Sequence, residues 1–346
     1  MKNVFSALLA ALMLVGILTG CTNQAEMPTV TAAPTGSQAQ PAADEKIRIV
    51  TTIFPEYDWV REILGDKADS AEITMLLDKG VDLHSYQPTA DDLIKISDCD
   101  LFVYVGGESD GWVDDALKSA ANKNRKVINL LDVLGDSVKT EEVVEGMQET
   151  EHDHDHDHDE DEDHEHEEEK DEHVWLSLKN AQTLVGAISA ALQELDPDNK
   201  DTYAANADAY GQKLSALDAE YQKAVSAGTY KTLLFGDRFP FRYLVDDYGL
   251  SYYAAFAGCS AESEASFETV SFLARKVEEG KLPCVLTIEG KNHKIAETIV
   301  QNTAGKDQKV LTMDSMQSTT SQDVANGTTY LSLMAKNLDV LKEALG

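Results

Sequence analysis

The sequence predicts an α/β fold with two similar parallel-sheet lobes joined by one long rigid helix. Short runs rich in β-branched and aromatic residues alternate with helix-forming segments, which is typical of parallel sheets covered by helices on both faces. These runs fall into two groups of four, one in each half of the chain, with a long helical stretch between them. Open parallel sheets bind ligands at the carboxyl ends of their strands, so we expect a site in the cleft between the lobes.

Four strands are expected in each lobe. In the first half of the chain they cover residues 47–53, 72–76, 101–105 and 126–130. In the second half they cover residues 232–235, 252–256, 284–288 and 309–313.

The segment between the two groups predicts the linking helix. Pro197 separates a first helix from a second, because proline is tolerated in a first helical turn but not in the interior. After it, apolar residues recur at spacings of three and four, namely Tyr203, Ala207, Tyr210, Leu214, Leu217 and Tyr221. We therefore expect an N-terminal lobe over 46–198, a helix of about 28 residues over 199–227 and a C-terminal lobe over 228–346. Such a helix limits opening and closing of the cleft.

The amino terminus predicts export and anchoring. Lys2 precedes a short apolar stretch, too short for a lasting membrane span, which ends in Leu-Thr-Gly-Cys at residue 21. This segment, 1–21, resembles the bacterial lipoprotein signal, which implies cleavage before Cys21 and lipidation of its thiol. Residues 22–45 are rich in small and polar residues and predict a flexible tether. The chain is thus expected outside the cytoplasm, held by lipid on the outer face of a bacterial cell membrane.

An acidic histidine tract, residues 151–172, dominates the charge of the chain. The 346 residues carry a net charge of −33, which is unlike that of a nucleic-acid binder. The tract holds fifteen acidic residues and one lysine. It also contains six of the nine histidines, His152, His154, His156, His158, His164 and His166. Imidazole suits zinc and its neighbours, so we predict a disordered loop over 150–172 that captures transition-metal ions weakly.

Three thiols remain if Cys21 is lipidated, at Cys99, Cys259 and Cys284. The spacing shows no Cys-x-x-Cys pair that would indicate a metal knuckle or a redox site. Two alternatives stay open: a disulfide between Cys259 and Cys284, or three free thiols.

Outside the tract, two histidines carry a family resemblance. His84 lies in a His-x-Tyr-x-Pro-Thr sequence after the second strand, and His173 lies in a His-x-Trp-Leu sequence directly after the tract. With these features in this order, residues 46–346 resemble the metal receptors of bacterial ATP-driven importers, and the histidine-rich insertion resembles their zinc branch. The resemblance implies that His84 and His173 are metal ligands. His293, in a lysine-flanked turn, is expected at the surface.

The resemblance also implies two further ligands. The third family ligand is a histidine or glutamate that opens a segment leading to Tyr-Gly-Leu, and here Asp237 is the candidate. Asp237 lies one residue off the family spacing, which would select Arg238, a side chain without a lone pair. Asp314, after the last strand, is the expected fourth ligand. Glu289 is the alternative to Asp237 or an orienting partner, and Trp175 is expected to pack beneath the site.

The resulting prediction is a receptor that binds Zn2+ and delivers it to the membrane permease of an ABC importer. Two imidazoles with two carboxylates suit Mn2+ as well, but the tract favours zinc. A manganese receptor of the same family and a surface adhesin or metal buffer are the alternatives. A metallohydrolase commonly has a His-Glu-x-x-His helix, which is missing from the sequence. We therefore expect a monomeric binding protein, not an enzyme, without nucleic-acid partners.

Overall fold

The eight predicted strands form two sheets of four parallel strands. The structure, a computed structural model, describes residues 46–148, 169–260, 264–290 and 292–346. The first sheet contains β1 (Ile47–Thr51), β2 (Ala71–Met75), β3 (Leu101–Tyr104) and β4 (Lys126–Asn129). The second contains β5 (Thr232–Phe239), β6 (Ser251–Ala257), β7 (Cys284–Ile288) and β8 (Lys309–Met313). The strand orders, β2-β1-β3-β4 and β6-β5-β7-β8, are equivalent, so the predicted pair of similar α/β lobes is confirmed.

Strand pairing brings the loops that carry the predicted site to one edge of each sheet. All pairs are parallel, with Ile47 opposite Ala71 and Cys284 opposite Lys309, so the carboxyl ends of neighbouring strands lie together. Strand β5 is longer than predicted because pairing with β6 continues past a bulge, where Arg238 lies opposite Phe256. The sequence pattern did not predict this extension because Asp237 and Arg238 interrupt the apolar run. Such bulges redirect side chains near functional sites.

Eleven α-helices surround the sheets in the described part of the chain. They are α1 (Phe54–Leu64), α2 (Ala90–Asp98), α3 (Val113–Lys118), α4 (Leu130–Leu134), α5 (Leu178–Leu195), α6 (Lys200–Ala227), α7 (Arg242–Tyr248), α8 (Phe267–Gly280), α9 (Lys294–Gln301), α10 (Ser321–Ala325) and α11 (Tyr330–Leu345). Polar side chains cap several of their amino termini. Ser177, for example, accepts a hydrogen bond from the Asn180 amide and so fixes the start of α5 just after the predicted ligand His173.

Helix α6 is the predicted linking helix, with 28 residues and no interruption. Its Asn206 side chain donates to the Ile63 carbonyl of α1 at 2.9 Å, in the first lobe. Its Tyr221 hydroxyl donates to the Met334 carbonyl of α11 at 2.6 Å, in the second lobe. Because both bonds leave the same helix, α6 ties the two lobes into one frame.

The core is continuous across both lobes. One cluster of buried apolar side chains runs from Ile49 in β1 to Leu345 at the end of α11, and a smaller one lies between the second sheet and helices α8 and α9. Residues Lys46–Gly346 accordingly form one compact unit. No helix within the described ranges has the length and apolar character needed to cross a bilayer.

Asp58 predicts a pH-dependent contribution to stability. This carboxylate of α1 is 5% exposed and accepts a hydrogen bond from the Tyr330 amide at 2.9 Å, and burial raises its pKa to about 7. The folded state therefore keeps a proton that the unfolded state loses near pH 4, so the free energy of unfolding falls as the pH rises toward 7.

Asp58→Asn should flatten that fall by up to about 1.4 kcal/mol per pH unit between pH 4 and 7, because the amide cannot ionise. Urea denaturation at several pH values measures the slope. The exposed Asp136→Asn variant is the control and should keep the wild-type slope. Parallel curves for wild type and Asp58→Asn would contradict the expected role of Asp58.

Candidate metal centre

His173 directly precedes a short 3-10 turn, Val174–Leu176, and its side chain is fully buried. The Asp171 carboxylate accepts hydrogen bonds from its backbone amide at 2.9 Å and lies 3.0 Å from its ring Nδ1. A carboxylate oxygen accepts hydrogen bonds, so the ring Nδ1 is the donor of this pair. The other ring nitrogen, Nε2, then carries a lone pair that faces the cleft. Orientation of a ligand histidine by a carboxylate is usual in metal sites.

His84 lies in the turn Leu83–Ser85, in the loop that follows β2. Its Nδ1 is 2.8 Å from the Ser109 hydroxyl and 3.4 Å from the Glu172 carboxylate. Burial would raise the pKa of Glu172, but hydrogen bonds with His84 and Ser109 outweigh it and lower the pKa. An ionised Glu172 favours a proton on Nδ1 of His84, which again leaves Nε2 with a lone pair. Both histidines thus have the same tautomer.

The Nε2 atoms of the two histidines lie close together. Nε2 of His84 and Nε2 of His173 lie 3.2 Å apart, although the residues are 89 positions apart in the chain. Two lone pairs that face each other at this distance repel unless a cation lies between them. Zinc holds imidazole nitrogen at about 2.0–2.1 Å, so two such ligands in tetrahedral geometry are about 3.3 Å apart. The separation therefore fits two ligands of one ion.

A third candidate ligand atom comes from the other lobe. In the described residues, the ligand atoms of His84, His173 and Cys259 all lie within 4.8 Å of one another. Cys259 follows β6 and is half-buried, and Cys99, Cys259 and Cys284 are all free thiols, so the structure supports that alternative over a disulfide. Burial, followed by the charge of Glu141 and other nearby carboxylates, raises the pKa of the Cys259 thiol. Sequence reasoning missed this residue as a ligand, although it follows a strand at the site edge of the sheet.

Two glycines allow the backbone to lie close to His173 and to Glu172. A Cβ at Gly258 would lie 3.0 Å from the His173 ring and 2.9 Å from the Phe239 carbonyl, so only glycine lets this turn reach the ring. Gly107 has a φ of +82°, and a Cβ there would lie 2.3 Å from the Glu172 carboxylate. Larger residues at either position would push apart the groups that orient the histidines.

Asp237 directs its carboxylate toward its own sheet. Its Oδ2 accepts from the Thr287 hydroxyl at 2.5 Å and from the Ile288 amide at 3.3 Å, both in β7. Its Oδ1 accepts from the Arg238 amide at 2.9 Å. Asp237 is not a member of the three-residue group, and its role as a ligand stays a prediction.

Arg238 connects the two lobes instead of binding metal. Its Nη2 lies 2.6 Å from the Asp82 carboxylate, and its Nη1 donates to the Ser260 carbonyl at 3.4 Å. The same Asp82 side chain accepts from the His84 amide at 3.1 Å. Burial would raise the pKa of Asp82, but Arg238 outweighs it and lowers the pKa. Arg238 therefore joins the turn that carries His84 to the turn that carries Cys259.

Asp314 and Glu289 form a pair of carboxylates at the edge of the second sheet. Asp314 accepts from the Met316 amide at 2.8 Å, and Glu289 accepts from the Ser315 amide at 2.7 Å. Burial and the charge of Glu289 raise the pKa of Asp314 to about 6. A cation near this pair would offset their mutual repulsion. Asp314 lies outside the three-residue group, and its role as a ligand stays a prediction.

Trp175 joins the Asp314 loop to the histidine pair. Its side chain is fully buried, its ring centroid lies 5.3 Å from that of His173, and its Nε1 donates to the Ser315 carbonyl at 2.8 Å. The indole thus packs against a predicted ligand and holds the residue next to Asp314. This arrangement excludes water from one side of the centre.

The end of the acidic histidine tract belongs to the centre. Asp171 and Glu172, which sequence reasoning assigned to the loop, are buried and contact His173 and His84, and Lys170 pairs with Thr140 in an isolated antiparallel bridge. The predicted lipidation site Cys21 and the six tract histidines lie outside the described residues. The latter are His152, His154, His156, His158, His164 and His166.

Comparison with known proteins identifies the family. The model of the ZnuA family, described as zinc-uptake complex component A, periplasmic, matches residues 49–344. The chain belongs to this family. This match confirms the family resemblance found in the sequence.

Three members illustrate the relationship. The zinc-binding lipoprotein AdcA of Streptococcus pneumoniae is 33% identical over 304 residues, which are 88% of this chain and 57% of AdcA. The high-affinity zinc uptake system protein ZnuA of Bacillus subtilis is 32% identical over 317 residues, 91% of this chain and 93% of that protein. The crystal structure of the Zn(II)-bound ZnuA-like domain of S. pneumoniae AdcA aligns with a TM-score of 0.66 and 30% identity, covering 87% of this chain and 99% of the domain. The chain thus spans little more than half of AdcA.

Proposed function

We propose that this ZnuA-family chain is an extracytoplasmic receptor that binds Zn2+ and delivers it to the permease of an ABC importer. One observation carries the proposal: the Nε2 atoms of His84 and His173 lie 3.2 Å apart. A buried carboxylate, from Glu172 and Asp171 respectively, orients each ring. Relatives named for zinc binding and zinc uptake support the identity of the ion.

The proposed cycle begins with capture. The acidic histidine tract raises the local concentration of Zn2+ next to the centre, because weak ligands on a tether act at high effective concentration. The ion then passes to His84 and His173 from the first lobe, completed by ligands from the second, for which Asp314 remains the predicted carboxylate.

Release requires the lobes to shift relative to each other. Since ligands come from both lobes, a small displacement on docking to the permease separates them, while α6 keeps the overall frame. Lipid on Cys21 and a tether over 22–45 would hold this monomeric receptor near its permease. The proposed protein binds and carries its ion without catalysis.

Two other functions remain within the family. A manganese receptor would use the same histidines with more oxygen ligands. An adhesin or metal buffer would bind zinc but would not support import. Separate measurements of binding and of uptake distinguish these functions from the proposed one, and a lack of peptide or ester hydrolysis at full zinc occupancy tests the absence of enzymatic activity.

The deciding experiment is complementation of a strain that lacks this gene and any redundant receptor, grown under zinc starvation. Wild type should restore growth and radioactive zinc uptake, and the His84→Ala/His173→Ala double variant should restore neither. The matched control is His293→Ala, since His293 contacts Thr287 at 3.2 Å and is not part of the three-residue group. Full uptake by the double variant, or growth restored only by manganese, would contradict the proposal.

A further inference from the structure

We infer that the sulfur of Cys259 is the third zinc ligand of this chain, in place of the histidine or carboxylate that the family resemblance implies. The inference rests on the proposed function as a zinc receptor and specifies its metal shell. It replaces Asp237, which the sequence suggested, by a residue from the turn after β6.

The first argument is the geometry of the three ligand atoms. The sulfur and one ring nitrogen of each histidine lie within 4.8 Å of one another. Zinc binds thiolate at about 2.3 Å and imidazole at about 2.0–2.1 Å, so nitrogen and sulfur in tetrahedral geometry are about 3.6 Å apart. A movement of about 1.2 Å or less brings the sulfur to this distance from the nitrogens. A side-chain rotation of a half-buried cysteine provides such a movement.

The second argument is that the turn bearing Cys259 is held against His173. Gly258 permits the close approach to the ring, and the Cys259 amide donates to the Glu141 carboxylate at 2.8 Å. On the other side, Arg238 donates to the Ser260 carbonyl. These bonds on either side of the Cys259 side chain fix the backbone of the turn, as expected of a ligand supported by surrounding residues.

The third argument is that the two residues at the expected third position are engaged elsewhere. Arg238 stands at the family spacing but has no lone pair, and it pairs with Asp82. Asp237 accepts three hydrogen bonds, two of them from β7. Among the described residues, Cys259 is the second-lobe residue whose candidate ligand atom lies close to those of both histidines.

Sulfur changes the chemistry of the site. On binding, the Cys259 S–H bond breaks, its electron pair forms the Zn–S bond and the proton leaves to the buffer. Two nitrogens and a thiolate are softer than a shell of oxygens and favour zinc over manganese. The shell would thus select zinc independently of the acidic histidine tract.

The test is zinc K-edge X-ray absorption of the full chain at one equivalent of Zn2+, with the six tract histidines replaced by serine in every sample. Wild type should show one sulfur near 2.3 Å. Cys259→Ser should lose that sulfur and weaken zinc binding by more than about 100-fold, beyond the effect of losing an outer partner. Cys259→His should recover most of the affinity with an all nitrogen and oxygen shell. Cys284→Ser, a buried thiol in the same lobe, is the control and should resemble wild type.

The outcomes separate two failures. The sulfur ligand is overturned if tight zinc binding requires His84 and His173 but the absorption spectrum shows no sulfur. It is also overturned if Asp237→Asn lowers the zinc affinity more than Cys259→Ser does. Either result leaves the proposed receptor function intact. Zinc binding that is indifferent to His84→Ala/His173→Ala overturns the proposed function itself. Buffer-dependent calorimetry adds a count of released protons, which should fall by about one in Cys259→Ser because no thiol ionises.

Discussion

His173→Ala is expected to weaken zinc binding by more than about 100-fold, the largest loss of any single substitution at the centre. The change removes a ligand nitrogen, and it also leaves the buried Asp171 carboxylate without its histidine partner. Asp171→Asn, which keeps the ligand but weakens its orientation, should cost about 10- to 100-fold. Competition with a chromophoric chelator, using protein without tract histidines, measures both constants.

The order of these two effects is the informative result. Removing a ligand should lower the zinc affinity more than removing the group that orients it. An Asp171→Asn variant that binds zinc more weakly than His173→Ala would therefore contradict the assignment of His173. Circular dichroism of the zinc-free variants serves as the control, because a folded His173→Ala protein shows that the loss lies in binding. His293→Ala should retain wild-type affinity.

Trp175→Ala should lower the free energy of unfolding of the zinc-free protein by about 3–5 kcal/mol, the largest expected effect on stability. The indole is fully buried, packs against His173 and donates to the Ser315 carbonyl, 140 residues away in the sequence. Its removal leaves a cavity and an unpaired carbonyl between the lobes. Guanidinium denaturation monitored by far-ultraviolet circular dichroism measures the change.

Two variants sharpen this test. Phenylalanine in Trp175→Phe fills most of the cavity but cannot donate a hydrogen bond to the Ser315 carbonyl. The free energy of unfolding of this variant should therefore lie between those of wild type and Trp175→Ala. Trp112→Ala removes an indole that is partly exposed, and it should cost less. Equal costs for Trp112→Ala and Trp175→Ala would show that Trp175 does not hold the two lobes together.

Much of the fold was predictable because its signals are local. Each strand is a short run with its own boundaries, and α6 shows its apolar spacing directly, so its 28 residues matched the expected length. The extension of β5 was not predictable, since Asp237 and Arg238 interrupt the pattern of a buried strand. Pairing with β6 beyond the bulge supplies the hydrogen bonds that keep this segment extended.

The site was predictable in part. His84 and His173 were found through short sequences that resemble a family, and the structure brings their ring nitrogens together. The roles of Ser109 and Glu172 beside His84 were not predictable, because both residues are far from His84 along the chain and meet it only in the folded protein. Cys259 shows the same limit, since a lone cysteine has no spacing that marks a ligand.

The sequence by itself determined two α/β lobes, the helix between them, an acidic histidine tract and two histidines in motifs that resemble those of metal receptors. The lobes, the helix and the tract follow from composition and periodicity, and the two histidines from short motifs that resemble a family; all of these depend on neighbours along the chain. Only the tertiary structure decided which side chains face those histidines: Arg238 toward Asp82, Asp237 toward β7 and the Cys259 sulfur toward the ring nitrogens. Side-chain direction at the cleft depends on a strand bulge, on Gly258 and on contacts between lobes, and residues far apart in the chain make those contacts.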